Sequence, residues 1–239
     1  MNTKKLFLIT LFLVLASTLV MGQDVSTAGE PNPNEIGVDS AQQKLKEVSI
    51  SKFEDAGFWY PAMAMDQGIA KLRRFEGGPA DKKPIPEEAE LGISEDDRFV
   101  LGMKVMYFFR GDKTFAIYPA RPLPIEGICK TISVWVVGRN FNHTLKLLVS
   151  DHFGNRAEIT MGKLNFSGWK KMTVAIPPHL KQRDFHHSGK IGIKVIGFKI
   201  ETDPAESYGT YYIYFDDLRA VTDLYPEEAR DPDDMVDAW

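Results

Sequence analysis

The chain has 239 residues, 44% of them apolar and 26% charged, with a formal net charge of −4. That composition excludes a collagenous or low-complexity chain and provides enough apolar side chains for one substantial core. A single cysteine, Cys129, excludes an intramolecular disulfide, so packing must supply the stability.

At the N-terminus, Lys4 and Lys5 precede an apolar run over residues 6–15, and short side chains lead on to Val20, Met21 and Gly22. The run is shorter than the ~20 residues a spanning helix needs, so the pattern predicts a signal peptide over 1–22, cut between Gly22 and Gln23. No cysteine follows at the cut to carry a lipid, and no membrane anchor is expected after cleavage. Residues 23–44 begin with a stretch poor in large apolar side chains and rich in Pro, Gly, Asn and Ser, which predicts a disordered leader.

From residue 45 onward short apolar runs alternate with turn formers. They predict strands at 48–53, 99–109, 114–118, 131–137, 144–150, 156–161, 169–176, 192–201 and 210–220. Strands at this spacing, with scarcely any helical periodicity, predict an all-β domain over 45–225: an antiparallel β-sandwich of jelly-roll or galactose-binding-like type. Only residues 62–74 and the turn after Pro226 have enough helical character to be read as helix. Residues 62–98, which include GGPADKKPIPEEAE, read as a long surface excursion of the kind that often carries function.

Within the strands, Met172, Val174 and Ile176 alternate with Lys171 and Thr173, the pattern of a sheet with one wet face. Residues 131–137 are apolar at both parities, so this strand must be central and lie beneath a loop or a partner. Trp135 is accordingly expected in the core, and Cys129 as a small buried hydrophobe.

Charge is unevenly spread. Removal of residues 1–22, with two lysines and no acid, takes the net charge from −4 to −6. Residues 223–239 alone hold seven acids against Arg230, which makes 226–239 an acidic tail. By contrast, 163–199 carries eight Lys or Arg and only Asp184. This opposition suits self-association or docking on a charged partner, with Lys163, Lys170, Lys171, Lys181 and Arg183 as the candidate interface. Trp59 and Tyr60, beside Pro61, join them as aromatics expected at an exposed loop edge. Nucleic acid is not an expected partner for an acidic chain without a basic fold signature.

Four patterns could carry chemistry. Glu201, Asp203 and Glu206 reproduce the E-x-D-x-x-E spacing that places two carboxylates together in some sandwich glycosidases, but Pro204 breaks the strand there and fans the acids out on a turn. Asp216 and Asp217 sit inside an apolar strand, where carboxylates need partners; a hydrogen-bonded structural role is expected, with a structural calcium as the alternative. His186 and His187 would point to opposite sides of a strand and lack a third ligand at zinc spacing. The triplets starting at Asn142 and Asn165 match glycosylation acceptors and read as turns. No metal, cofactor or catalytic residue is therefore assigned.

Over KTISVWVVGRNFNHTLKLLVSDHFGNRAEITMGKLNFSGWKKMTVAIP, residues 130–177, and YYIYFDDLRAVTDLY, residues 211–225, the chain resembles the class A outer-layer (sheath) proteins of spirochaete periplasmic flagellar filaments. Trp135, Gly138, Asp151, Gly154, Gly168, Trp169 and Asp216 are its most telling positions. The resemblance implies a non-enzymatic structural subunit, secreted to the periplasm. Such a subunit wraps the flagellin core, meets other sheath subunits, and contributes to filament stiffness, curvature and motility. It brings no cofactor. The alternative is a secreted carbohydrate-binding module that stacks sugars on Trp59, Tyr208, Tyr211, Tyr212 and Tyr214.

Overall fold

Alternating burial generates the strands. In β8 (Thr144–Ser150) Leu145, Leu147 and Val149 are buried while the residues between them are half-buried, as a sheet with one face on a core requires. The computed structural model describes residues 30–36, 43–85, 97–184 and 191–225. All the strands belong to the unit Pro31–Trp239; of the other unit, Met1–Glu30, only Glu30 is described.

The remaining strands are β1 (Leu45–Ser51), β2 (Trp59–Met63), β3 (Gly68–Glu76), β4 (Phe99–Tyr107), β5 (Thr114–Pro119), β6 (Leu123–Glu126), β7 (Ile128–Val137), β9 (Arg156–Lys163), β10 (Trp169–Ala175), β11 (Gly192–Glu201) and β12 (Thr210–Asp223). They form two six-stranded antiparallel sheets. Sheet A runs β10-β7-β12-β4-β3 with β1 added beside β12, and sheet B runs β2-β5-β11-β8-β9 with β6 added beside β11. This is the antiparallel β-sandwich that the strand spacing predicts, with no helix of more than an isolated residue among the described residues.

One expectation is corrected. Residues 62–74 are not a helix: they hold the end of β2 and most of β3. Pro61 in β2 and Pro124 in β6 disguise those strands in the sequence, and both occupy strands bonded on one side only, where a missing N–H costs no ladder bond. The turn after Pro226 lies outside the described residues.

The core lies between the sheets. Met103 and Val105 of β4, Ile132, Val134 and Val136 of β7, and Ile213 and Phe215 of β12 meet Phe115, Ile117, Leu147, Val195 and Phe198 from sheet B. Cys129 is 1% exposed and its burial raises the thiol pKa, which makes it an unreactive core residue. At Gly138 a Cβ would lie 2.4 Å from the Leu164 carbonyl oxygen, so only glycine admits this close backbone approach. The Asp151 carboxylate accepts bonds from the Asn155 backbone N–H (2.7 Å) and side-chain amide (2.9 Å), closing the β8–β9 turn.

Parts of 23–44 are described. Asn32 accepts the backbone N–H of Asn34 and donates to Glu35, and the Ile36 carbonyl accepts a bond from Lys130 Nζ at 2.9 Å.

Candidate functional site

The register of sheet A defines its outer face, the one turned away from the core. Trp169 pairs with Val137, Val137 with Tyr214, Tyr214 with Gly102 and Gly102 with Arg73, so these positions form one row across five strands. Tyr212, Lys104 and Lys71 form the next row toward the start of β12. In the other direction lie Lys171, Trp135 and Asp216.

The Asp216 end of this face is covered. Residues 77–85 leave β3 and cross it, with Pro79 and Ile85 buried beneath. Lys82 Nζ donates to Asp216 Oδ2 at 2.6 Å and to Asp97 Oδ1 at 2.5 Å. Arg219 donates through Nε to Asp217 Oδ1 at 2.7 Å and through Nη2 to the Lys83 carbonyl at 2.6 Å. A register shift between Asp216 and Arg219, with Asp217 at φ 51°, makes this possible. Such a bulge re-aims side chains, and Asp tolerates the left-handed conformation better than most residues.

Burial pushes the Asp216 carboxyl up to about 6, against the pull of Lys82. Burial also opposes the Lys82 charge, but its hydrogen bonds and attraction to Asp216 and Asp97 prevail and leave its pKa above the ordinary value. Asp216 and Asp217 thus fasten the covering segment to the sheet. Among the described residues no three His, Cys, Asp or Glu side chains gather as a metal site.

From the border of the covering segment onward the face is open. A cleft of about 630 Å³ begins at Gly77 and Gly78 of that segment and is lined by Phe75, Val100, Val137, Arg139, Trp169 and Tyr214, together with the acidic Glu76. A neighbouring hollow of about 500 Å³ shares Arg139 and Tyr214 and adds Phe141 and Tyr212. Gly102 makes room for the aromatics: a Cβ there would lie 2.6 Å from Phe75 Cε2 and 2.9 Å from Tyr214 Cε1, whereas the two rings now meet edge to face at 5.7 Å.

Cations sit over these rings, Arg73 at 5.4 Å from the Phe75 centroid, Lys104 at 5.6 Å from Tyr212 and Arg139 at 5.3 Å from Tyr214. Lys71 completes the set from β3. Among the described residues, none of these four cations has a carboxylate within ion-pair distance.

The sequence-derived interface residues do not form one surface. Lys163, Lys170 and Lys171 are exposed along the adjacent edges formed by β9 and β10, with Lys170 5.3 Å from the Phe166 ring centroid. Lys181 and Arg183 are exposed after β10, where Lys181 lies 5.8 Å from the ring centroid of Phe153 in the β8–β9 turn. Tyr60, 50% exposed and tilted against Tyr118 at 5.8 Å, is on β2, at the opposite edge of sheet B from β9.

Trp59 is no surface residue at all. It is 5% exposed and packs on Phe53 at 4.8 Å, because alternation along β2 turns it inward as Tyr60 turns outward. Trp135 is corrected in the opposite sense: it is half-buried on the outer face, with Val134 and Val136 facing the core.

The glycosidase-like acids are dispersed. Glu201 accepts from Lys146 at 2.6 Å and meets Lys199 at 3.1 Å, and the Lys146 hydrogen bond leads the causes that lower its pKa. Asp203 accepts the Ala205 N–H, and Glu206 binds the backbone and side-chain amides of Asn142. Gly22, Gln23, His186 and His187 lie outside the described residues.

The open half was missed from sequence because 62–74 reads as helical. The signal was present in GIAKLRRFE: Ile69, Lys71, Arg73 and Phe75 alternate with the less exposed Ala70, Leu72 and Arg74.

A family model described as "Flagellar filament outer layer protein Flaa" matches residues 20–230. A flagellar filament outer layer-like protein of Brachyspira hyodysenteriae is 39% identical over 223 residues, covering 92% of this chain and 100% of that one. The flagellar filament outer layer protein of Spirochaeta aurantia is 33% identical over 106 residues, covering 41% of this chain and 31% of its own. Among solved structures, a family 11 carbohydrate-binding module from Clostridium thermocellum in complex with a mixed-linked tetrasaccharide superposes with a TM-score of 0.38 at 14% identity, covering 77% of this chain and 98% of that one. A module in complex with beta-1,4-galactotriose gives a TM-score of 0.38 at 11% identity, covering 70% and 89%.

Proposed function

The chain belongs to the flagellar filament outer layer family, and from that premise we propose that it is a sheath subunit of the periplasmic flagellar filament. It is exported with residues 1–22 removed, seats on the flagellin core beside other sheath subunits, and contributes to filament stiffness, curvature and motility. The carrying observation is the family match over residues 20–230.

The chemistry of these side chains supports binding over catalysis. Glu201, Asp203 and Glu206 each serve a separate structural contact, and the lysine-bonded Glu201 is a poor proton donor. The carbohydrate-module alternative loses Trp59, which lies in the core.

The test is mass spectrometry of washed periplasmic filaments, paired with a deletion strain. The expected result is the protein on the filaments, and thinner or differently curved filaments without it. Absence from washed filaments, or unchanged thickness and curvature after deletion, overturns the reading. Lys170→Glu with Lys171→Glu should weaken filament association in low salt if the β9–β10 edge docks.

A further inference from the structure

We propose that the open half of the outer face of sheet A receives the acidic tail, residues 226–239, of a second copy of the chain. Four cations, Lys71, Arg73, Lys104 and Arg139, stand on this half among the rings of Phe75, Tyr212, Tyr214 and Trp169. The tail has the complementary composition: Glu227, Glu228, Asp231, Asp233, Asp234 and Asp237 against Arg230, with Trp239 as an aromatic for the cleft. Asp223 is not available for the partner, because its carboxylate accepts the Lys44 N–H at 2.9 Å within its own copy.

Geometry favours a neighbour over the same chain. The cationic row meets β12 at Tyr212, near the start of the strand, and the tail leaves beyond Tyr225, after the strand's far end. At ~3.3 Å per residue the stretch from Tyr212 to Asp223 spans roughly 36 Å. A tail returning to its own cationic row would have to run back over the segment that covers Asp216. A copy stacked end to end presents its open half directly at that pole. A contact between unlike surfaces of identical chains is not satisfied by a pair, so it propagates along a line unless the rotation between copies closes a ring.

The test is sedimentation velocity of the purified protein, without filaments, at about 20 mM and about 500 mM salt, where the screening length falls from roughly 20 Å to about 4 Å. The protein should assemble with concentration at low salt and at least about tenfold more weakly at high salt. A face variant (Lys71→Glu, Arg73→Glu, Lys104→Glu) and a tail variant (Asn or Gln at the six tail acids) should each remain monomeric. Mixed, they should form a one-to-one complex and stop there, since the first still has a tail and the second still has a face.

An inert mixture, a wild type that stays monomeric, or assembly indifferent to both variants overturns the proposal. So does a glycan that occupies the cleft and leaves assembly unchanged. Should the face variant fail to match the wild-type urea midpoint, a synthetic peptide of residues 226–239 replaces it and must dissolve the wild-type assemblies. Failure of the sheath reading would leave these results untouched, because they involve no flagellin.

Discussion

The two halves of the outer face of sheet A use the same strands and handle charge in opposite ways. Under residues 77–85, Asp216 and Asp217 are fully buried and held by Lys82 and Arg219, one of which also binds the covering backbone. On the open half, Arg73, Lys104 and Arg139 rest over aromatic faces and keep their charge toward solvent. A buried ion left without its partner is destabilising by several kcal/mol, whereas an exposed cation over a ring is worth ~0.5–1 kcal/mol. The contrast teaches that one half is charged for its own integrity and the other for something that arrives.

The largest effect that could break this contrast is expected from Lys82→Met. It strands Asp216, whose Oδ1 already lacks a partner among the described residues, and should cost about 3 kcal/mol in urea unfolding at pH 7. The pH dependence sharpens it. Asp216 titrates at about 6, above the ordinary 3.8, so its contribution is fully present below pH 3.8 and is lost as pH rises through 6. Without Lys82 that loss grows, and the deficit should be smaller at pH 5 than at pH 7; a pH-independent deficit would mean that Asp216 is not the stranded group.

A middling effect is expected at the boundary between the halves. Gly102→Ala drives a methyl into Phe75 and Tyr214 and should cost about 1–2 kcal/mol while displacing the Phe75 ring, detectable by NMR. The smallest is expected on the open half, where Lys104→Ala should change stability by less than about 0.5 kcal/mol. A cost there as large as that of Lys82→Met would erase the distinction between the two halves.

The covered half was largely legible in the sequence. Apolar residues at both parities of 131–137 require a lid over β7, and two acids inside an apolar strand require partners. The lid's source was not legible, because Lys82 and Asp216 are 134 residues apart and nothing local records their meeting. Trp59 and Trp135 exchange their expected places for one reason: a tryptophan flanked by apolar or aromatic neighbours does not reveal which parity faces the core. The basic run 163–199 fails as a single surface because it passes from β9 to β10 to β11, two strands of one sheet and one of the other, and Lys199 is engaged by Glu158 and Glu201.

Strand β12 has a mechanical consequence. It lies inside sheet A, laddered to β7 and β4, with β1 added along its last six residues, and residues 226–239 follow in sequence two residues after its end. Tension applied beyond Tyr225 therefore runs along the strand axis, perpendicular to the bonds of those ladders. The bonds are loaded in shear and share the force, where a peripheral strand peeled sideways would yield rung by rung. A chain anchored by this end would transmit traction straight into the middle of its own sheet.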